Sequence, residues 1–286
     1  KIYEFRVFGT GVYDPSAAVD TEKPVITSAT PKTPIAHNEV QITMEASDNV
    51  GVVSYEVKDD AKGVSATCVP VDNVITVPNL QEQTTYNLTI VAVDAAGNKS
   101  DAYAMAAFTT GVNPYIPHAS APIPTRDAED VVSFYSDAYT PAINLWGKNQ
   151  WTGVNFSENN IAGNKYLHYA GNITNLGWEY NVNAGYTDGE HTGVNCSEME
   201  YLHIDIWGYA AGTIRVIPIY GGTGLQHNEG YHTDVEILAG QWNSVDIALA
   251  DFEGNAHDFS SIYQFKFTNC NNTIAIDNVY FWKSAG

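Results

Sequence analysis

The 286-residue chain is acidic: 33 aspartate and glutamate residues against 13 lysine and arginine residues give a formal net charge of −20 at pH 7. This charge disfavours nucleic acid and anionic membrane surfaces as partners, because both are negatively charged. No apolar run approaches the roughly 20 residues that a membrane-spanning helix needs. An uncharged polymer is the partner class that meets no repulsion, and the length suits about two domains.

The first 23 residues are interpreted as a terminal strand and a linker. Residues 1–9 alternate like a strand, and their pattern Ile-x-Glu-Phe-x-Val-x-Gly resembles the closing strand of a discoidin-like module. An isolated N-terminal strand is the alternative interpretation. Residues 10–23 contain glycine, aspartate and proline, which are typical of a linker. We therefore expect the chain to begin inside a longer parent protein.

Residues 24–111 contain short β-rich runs at regular spacing, separated by turn residues. Residues 40–46 and 86–94 alternate with a period of two, which predicts an antiparallel sandwich. The turns Asp-Asn-Val-Gly at residues 48–51 and Asp-Ala-Ala-Gly-Asn at residues 94–98 resemble those of bacterial immunoglobulin-like and fibronectin-III-like spacers in extracellular enzymes. The resemblance implies a domain that positions its neighbours. Residues 112–125, with four prolines, are predicted to be a semi-rigid linker.

Residues 126–286 hold all six tryptophans and twelve of the eighteen tyrosines. Their apolar runs alternate with a period of two, most clearly in residues 201–207. Leu202, Ile204 and Ile206 are predicted to face an inter-sheet core, and the intervening aromatic and polar side chains to face outward. The fold class is therefore predicted to be all-β, an immunoglobulin-like sandwich followed by a β-jelly-roll sandwich with one functional sheet face.

Four ordered motifs in this region carry a family resemblance. Residues 131–139, 202–207, 240–252 and 276–283 are similar, in that order, to the β-jelly-roll carbohydrate-binding modules appended to bacterial polysaccharidases and surface glycan-binding proteins, above all those beside laminarinase-like enzymes. The resemblance implies non-catalytic binding of a polysaccharide, with β-glucan as the expected class, by a monomeric part of a secreted or cell-surface protein. The chain departs from the pattern at Trp178 and in its loop at residues 221–232.

The sugar-binding prediction rests on stacking and hydrogen-bonding side chains, since sugar C–H faces stack on aromatic rings and hydroxyls need polar partners. The candidates are Trp146, Trp151, Tyr201, His203, Asp205, Trp207, Arg215 and His232. Three alternatives stay open: one loop tryptophan could close the core, the β-strand histidine and aspartate could be satisfied within the sheet, and the arginine could neutralise a carboxylate. The other three tryptophans are predicted to be structural.

Two further chemistries concern carboxylates and thiols. The resemblance implies one structural calcium ion, for which Asp137 and Asp277 are the candidates, with plain turn aspartates as the alternative. The three cysteines are expected to be buried free thiols, and a Cys196–Cys270 disulfide is the alternative.

Two other functions are weighed against sugar binding. An adhesion or architectural module would contact protein through a contiguous apolar patch. A glycoside hydrolase would need a carboxylate pair, for which Asp205, Asp234 and Glu236 are the available residues, but no hydrolase motif surrounds them. The sequence therefore favours a non-catalytic module.

Overall fold

The computed structural model describes residues 19–180, 192–222, 225–254 and 258–285. The chain divides into two compact units, the first ending at Asn113 and the second beginning at Pro114. The strand expected over residues 1–9 lies outside the described residues. Regular structure is almost entirely β, as predicted; the short 3-10 helices in the described residues are Asp60–Lys62, Ala128–Asp130 and Leu249–Asp251. None of the described helices is long and apolar enough to cross a bilayer.

The first unit is a small antiparallel sandwich. Its strands are β1 (Val25–Pro31), β2 (Val40–Ser47), β3 (Val52–Asp59), β4 (Val64–Cys68), β5 (Val74–Val77), β6 (Thr85–Tyr86), β7 (Thr89–Asp94), β8 (Tyr103–Ala104) and β9 (Phe108–Thr109). One sheet has the order β1-β2-β5, the other the order β4-β3-β7-β8, and β6 pairs with β9. These antiparallel sheets form an all-β sandwich, as predicted.

The core of the first unit follows from the alternation in its strands. Val40, Ile42 and Met44 on β2 are buried, while the residues between them are exposed. On the facing sheet, Val57 of β3 and Ile90 of β7 are buried in the same cluster. Burial of each such side chain contributes about 1.5–3 kcal/mol, so the period-two pattern accounts for the packing of the two sheets.

The second unit is a larger sandwich of two antiparallel sheets. Its strands are β10 (Val131–Tyr135), β11 (Leu145–Gln150), β12 (Asn155–Ile161), β13 (Asn164–Ala170), β14 (Ile173–Tyr180), β15 (Tyr201–Gly208), β16 (Gly212–Tyr220), β17 (Tyr231–Ile237), β18 (Trp242–Ala248), β19 (Glu253–Gly254), β20 (Ile262–Cys270) and β21 (Ile274–Trp282). The first sheet has the order β12-β13-β21-β15-β18, with β10 also paired to β21. The second sheet has the order β11-β14-β20-β16-β17-β19.

The space between these two sheets is filled by one large apolar cluster. Leu202, Ile204 and Ile206 of β15 are completely buried in it, as predicted, opposite Phe265 and Phe267 of β20. The tryptophan at position 178, where the resembled family has an aliphatic residue, is also buried in this cluster and donates its Nε1–H to the hydroxyl of Tyr169 at 2.8 Å. Many aromatic side chains of this unit are therefore core residues.

The cysteines are buried free thiols, as expected, and the alternative Cys196–Cys270 disulfide is absent from the structure. Cys68 lies in the first unit and donates to the carbonyl of Thr76 at 3.2 Å, which links β4 to β5. Burial raises the pKa of Cys270 to about 11, so this thiol stays protonated and unreactive at neutral pH.

The proline-rich segment does not behave as a linker. Residues 114–126, which we call the strap, belong to the second unit and pack on the outer side of its first sheet. Ala121, in the middle of the strap, is almost completely buried. Proline rigidity, which suggested a spacer, serves here to hold an extended segment against a sheet.

Candidate functional site

The outward side of β15 is buried, contrary to the prediction of an exposed binding face. His203, Asp205 and Trp207 are respectively 9%, 0% and 4% exposed, and Tyr201 is half-buried. Their side chains do point away from the core between the sheets, as the alternation predicted. The prediction failed on what lies beyond them, because the strap and its contacts cover this side of the sheet.

Asp205 is the centre of a polar network under the strap. Its carboxylate accepts hydrogen bonds from the hydroxyl of Ser244 and from Nδ2 of Asn278, the latter at 2.7 Å. The same Nδ2 donates to the carbonyl of Pro122 in the strap at 3.0 Å. A completely buried carboxylate is tolerable only when such donors replace water. Asp205 therefore has a structural partner set in place of a sugar hydroxyl.

His203 is held between two carboxylates. Its Nδ1 lies 2.8 Å from Oδ1 of Asp246 and its Nε2 lies 3.5 Å from Oδ1 of Asp205, while the ring stacks on Tyr280 at 4.6 Å. Burial lowers the pKa of His203, but the hydrogen bonds and negative charges of the two aspartates outweigh burial and raise it. The alternative in which the histidine and aspartate are satisfied within the sheet is the one observed.

The strap is attached mainly through its backbone carbonyls. The carbonyl of Tyr115 lies 2.9 Å from Nε2 of His168, and that of Ala119 accepts from Nε1 of Trp242 at 2.8 Å. Trp207 belongs to the apolar cluster beneath, which includes Trp242. Two of the tryptophans on this sheet are therefore structural, one as expected and Trp207 against expectation.

The end of the strap is fixed by a charged residue. Arg126 lies over the Trp282 ring, with its guanidinium carbon 3.1 Å from the centroid, and its Nη2 is 2.8 Å from Oδ2 of Asp246. Tyr201, a predicted sugar contact, stacks on the other side of this arrangement, 4.3 Å from Trp282. Such cation–π and stacking contacts typically contribute about 0.5–1.5 kcal/mol each. Tyr201 thus takes part in holding the strap.

The outer side of the second sheet, which we call the open face, is built by the alternate residues of β14, β20, β16 and β17. Because Trp178, Phe265 and Val216 point into the core, their neighbours in the strands point outward. The strand register aligns these neighbours in rows: Gly177 with Lys266 and Ile217, and Asn175 with Thr268, Arg215 and Asp234.

Trp151 supplies an aromatic surface on the open face. A Cβ at Gly177 would overlap the six-membered ring of Trp151, so the ring lies directly over this glycine. The ring is 40% exposed. The backbone of Trp151 is in the left-handed region, with φ 61°, a conformation that non-glycine residues adopt rarely and that clusters at functional sites. This tryptophan was predicted as a platform; the glycine beneath it was not.

Charged residues on the same face as this ring are paired. Arg215 makes two parallel bonds to Asp234, Nε to Oδ1 at 2.8 Å and Nη2 to Oδ2 at 2.9 Å. The hydrogen bond from Arg215 lowers the pKa of Asp234, so both stay charged at neutral pH. Lys266, which neighbours Gly177, binds Glu229 at 3.1 Å. The alternative that Arg215 neutralises a carboxylate is the one observed, and both pairs still leave polar atoms toward solvent.

A second patch of the open face is apolar and buried. Ile217, Ile219 and Tyr263 form a small buried cluster on the outer side of the sheet. The hydroxyl of Tyr263 lies 2.6 Å from Nδ1 of His227, a residue of the distinctive loop at 221–232. His227 therefore lies against the open face beside Tyr263.

The two remaining sugar-binding candidates are also on the second sheet. His232 follows the inward-pointing Tyr231 on β17 and is half-buried, paired in register with Glu253 of β19. Trp146 lies on β11 at an irregularity in its pairing with β14 and is 50% exposed. The structure thus separates the predicted set: four residues lie under the strap, and four lie on the second sheet.

Asp137 and Asp277 approach the same β-turn. Asp137 accepts from the backbone N–H of Lys165 at 2.5 Å, and Oδ2 of Asp277 accepts from Nδ2 of Asn164 at 2.8 Å. Burial raises the pKa of Asp277 to about 7, and the charges of Asp205 and Asp137 add to this effect. Within the described residues, however, these two aspartates do not join a third acidic, histidine or cysteine side chain close enough to share one ion.

Asp205 lies on a different sheet from the other two carboxylates considered for glycoside hydrolysis. Asp205 is buried under the first sheet's strap, whereas Asp234 and Glu236 point outward from β17 of the second sheet. Asp234 is bound by Arg215 at the distances given above. A hydrolytic carboxylate pair needs both groups on one cleft, about 5–10 Å apart, so Asp205 cannot be a member of such a pair.

Comparison with known proteins gives structural similarities only. No protein-family model matches the chain, and no curated protein matches it. A family 11 carbohydrate-binding module of a cellulosomal cellulase of Clostridium thermocellum is 15% identical and superposes with a TM-score of 0.38, covering 57% of this chain and 97% of that one. A family 30 carbohydrate-binding module of another cellulosomal cellulase of Clostridium thermocellum is 14% identical, with a TM-score of 0.41 and coverage of 55% and 99%.

A chitinase of Bacillus thuringiensis is 17% identical and superposes with a TM-score of 0.28, covering 86% of this chain and 29% of that one. Similarities at this level do not assign the chain to a family.

Proposed function

We propose that the unit beginning at Pro114 binds a neutral polysaccharide, without catalysis, on the open face of its second sheet. The observation that carries the proposal is the exposed ring of Trp151 fixed over Gly177. Burying the ring would be the ordinary way to stabilise a fold. A ring held exposed on rigid backbone, in a left-handed conformation, is instead suited to stacking against the C–H face of a sugar.

The neighbouring polar groups supply the second half of sugar recognition. Sugar hydroxyls both donate and accept hydrogen bonds, and the Arg215–Asp234 and Lys266–Glu229 pairs offer donors and acceptors side by side. Because each positive charge is paired with a negative one, the surface does not select a charged ligand. An uncharged glycan therefore fits this face better than an anionic one.

The dimensions favour an oligosaccharide over a single sugar. The row from Asn175 through Thr268 and Arg215 to Asp234 crosses three strand spacings, which amounts to about 14 Å at roughly 4.8 Å for each spacing. Exposed stacking and hydrogen bonds contribute little after competition with water, so we expect affinities in the micromolar to millimolar range, roughly 4–8 kcal/mol. β-Glucan is our preferred ligand class, on the sequence resemblance given above.

The setting of the module is part of the same proposal. We propose that the module belongs to a larger secreted or cell-surface protein and that the chain acts as a monomer. The first unit would be an immunoglobulin-like spacer that positions the module. A structural calcium ion is proposed between Asp137 and Asp277, since the negative charges close to the buried Asp277 would be relieved by a cation. Its remaining ligands would be backbone carbonyls and water.

The test is affinity electrophoresis of the full chain against laminarin, mixed-linkage glucan, xylan and mannan. The wild-type protein is expected to be retarded by at least one of them, and Trp151→Ala to lose about tenfold in affinity or more, because it removes the aromatic anchor. Phe156→Ala, which removes an exposed ring at the edge of the first sheet, is the matched control and should retain affinity. Retardation by none of the four polymers would overturn the proposal.

A further inference from the structure

Three aspartates from separate parts of the chain meet at one end of the first unit. Asp20 precedes β1, Asp48 follows β2, and Asp94 is the last residue of β7. One carboxylate oxygen of each lies within 4.8 Å of the corresponding oxygens of the other two. The sequence pattern alone indicates family-typical turns at Asp48 and Asp94 and a linker at Asp20.

Two of these carboxylates have buried oxygens without a partner. Oδ1 of Asp20 accepts from Nδ2 of Asn49 at 3.0 Å, and Oδ2 of Asp48 accepts two backbone N–H groups of its own turn at 2.9 Å. The second oxygen of each, Oδ2 of Asp20 and Oδ1 of Asp48, is shielded from solvent and accepts no hydrogen bond. A buried anionic oxygen without a donor is costly, so these two oxygens indicate a missing positive partner.

The third carboxylate is fixed in its charged form. Asp94 is 2% exposed. Burial alone would raise the pKa of Asp94, but hydrogen bonds from the side chain and backbone of Asn98 outweigh burial and lower the pKa. Two lysines of this unit pair with other carboxylates: Lys23 lies 3.6 Å from Asp101, and Lys99 lies 2.6 Å from Glu56. The ion pairs that the described residues make therefore leave the three charges together.

We propose that Asp20, Asp48 and Asp94 bind a calcium ion. Calcium takes oxygen ligands at about 2.3–2.6 Å, so two ligands on opposite sides of one ion are up to about 5 Å apart, and the observed spacing fits within this limit. Zinc prefers imidazole and thiolate ligands, which this cluster lacks. Magnesium demands a tighter octahedron and keeps several waters, whereas three loops of an exposed sandwich end can adjust to the larger ion.

A bound ion would strengthen the attachment of the residues before β1 to the first unit. Asp20 stands five residues before β1 in the segment interpreted as a linker. Binding would join this segment to the turn after β2 and the turn after β7. Calcium would add to the hydrogen bonds from Asn49 and Asn98 that already hold Asp20, which makes the stability of this unit sensitive to the calcium concentration. This inference goes beyond the proposed sugar binding, because it concerns the other unit.

The decisive measurement is calcium stoichiometry of the full chain by isothermal titration calorimetry. Asp20→Asn keeps the shape of the side chain and replaces the unpartnered oxygen by an amide group, so this variant is expected to bind one equivalent less than the wild type. Asp101→Asn, an exposed carboxylate of the same unit, is the matched control and should bind as the wild type. Equal stoichiometry in Asp20→Asn and the wild type would overturn the proposal.

Thermal unfolding supplies a second readout that separates the two units. All six tryptophans lie at or beyond residue 146, so a transition seen by calorimetry but silent in tryptophan fluorescence belongs to the first unit. Calcium at about 100 times its dissociation constant is expected to raise this transition by about 10 °C in the wild type. In Asp20→Asn the transition should not respond to calcium, and in EDTA it should be at least as high as that of the wild type, because one negative charge is gone.

Several outcomes are distinguishable. A calcium response confined to the tryptophan-reporting transition would assign the ion to the second unit and overturn this site. An equal response to magnesium would overturn the identity of the ion. A variant that melts lower in EDTA is not folded as the wild type is, and Asp48→Asn then serves in its place with the same expectations. Retention on polysaccharide is expected to be the same in all these variants, so failure of this proposal and failure of sugar binding are read separately.

Discussion

The contact between Trp151 and Gly177 is a single-residue requirement of the proposed sugar site. Any Cβ at position 177 would overlap the ring. Gly177→Ala is therefore expected to displace Trp151 and to lower polysaccharide affinity about as much as removing the ring, roughly tenfold. The measurement is affinity electrophoresis at a temperature well below unfolding.

Gly212→Ala is the control for this substitution, because a Cβ at position 212, on β16 of the same sheet, meets no atom within 4 Å. It should bind as the wild type. If Gly177→Ala also bound as the wild type, the ring over this glycine would not be part of the binding surface.

The sequence predicts that Trp151 is a binding candidate, but it does not predict that the ring lies over Gly177. A tryptophan in a glycine- and asparagine-rich stretch is a reasonable binding candidate, and a glycine inside a strand is a recognised mark of close approach by another group. That these two meet depends on the pairing of β11 with β14, which contains two irregularities. Each irregularity shifts the register, and a shift of one residue reverses which side a chain faces.

At the scale of the element, β15 shows what a period-two pattern does and does not determine. The alternation correctly placed Leu202, Ile204 and Ile206 in the core. The pattern says only that the other residues point the opposite way, and it gives no information on whether water or another part of the chain lies there. Here the strap lies there, and it has no periodicity by which its position could be predicted. The predicted sugar contacts on this strand were therefore wrong about exposure.

The burial of β15 leads to a prediction about Trp207. Its side chain packs in a cluster with Tyr166 and Trp242, so Trp207→Ala leaves a large cavity and is expected to destabilise the second unit by about 3–5 kcal/mol. Polysaccharide retention of the folded fraction should be unchanged, because this ring is on the other sheet from the open face. Urea unfolding followed by tryptophan fluorescence gives the free energy.

Trp146→Ala provides the comparison, since this ring is half exposed and its removal should change the unfolding free energy by less than about 1 kcal/mol. A loss of retention in folded Trp207→Ala, with unchanged stability, would restore the first sheet as the binding surface.

At the scale of the whole molecule, two buried groups give stability the same dependence on pH. Burial raises the pKa of Asp277 to about 7 from 3.8. The folded protein thus binds this proton more tightly than the unfolded chain does, and stability falls as pH rises from about 4 to 7. The pKa of His203 is also raised, through Asp205 and Asp246 against the effect of burial. The stabilisation of the folded protein by protonated His203 is fully present below about pH 6.5, and it is lost as pH rises through the folded-state pKa of His203.

In EDTA, the unfolding transition reported by tryptophan fluorescence is therefore expected to fall in temperature between pH 5 and pH 8. A shift of about 3 units at Asp277 corresponds to about 4 kcal/mol, so this residue should dominate. Asp277→Asn is expected to remove most of the dependence, and Asp251→Asn, an exposed aspartate of the same unit, should keep it. A transition that stayed level or rose over this range in the wild type would contradict the assignment.

The overall architecture was accessible from the sequence, and the contacts between distant segments were not. Alternation and turn spacing act within ten residues of each other, which is enough to predict two β-sandwiches. The meeting of Asp20, Asp48 and Asp94, or of residue 122 with residue 278, joins positions up to 156 residues apart. Such meetings depend on the order of strands in the sheets, and no local pattern in the chain encodes that order.

The attachment of the strap by its main chain has a consequence for how this molecule can change over evolutionary time. Carbonyl oxygens at positions 115, 119 and 122 are supplied by any amino acid, proline included. Apart from the buried Ala121 and the paired Arg126, the strap's side chains can change with little effect on its path. His168, Trp242 and Asn278, which bind those oxygens, cannot be exchanged without losing the hydrogen bonds. In distant relatives the strap would therefore not be recognised by sequence alignment. Its presence would have to be inferred from the three residues that bind its carbonyl oxygens.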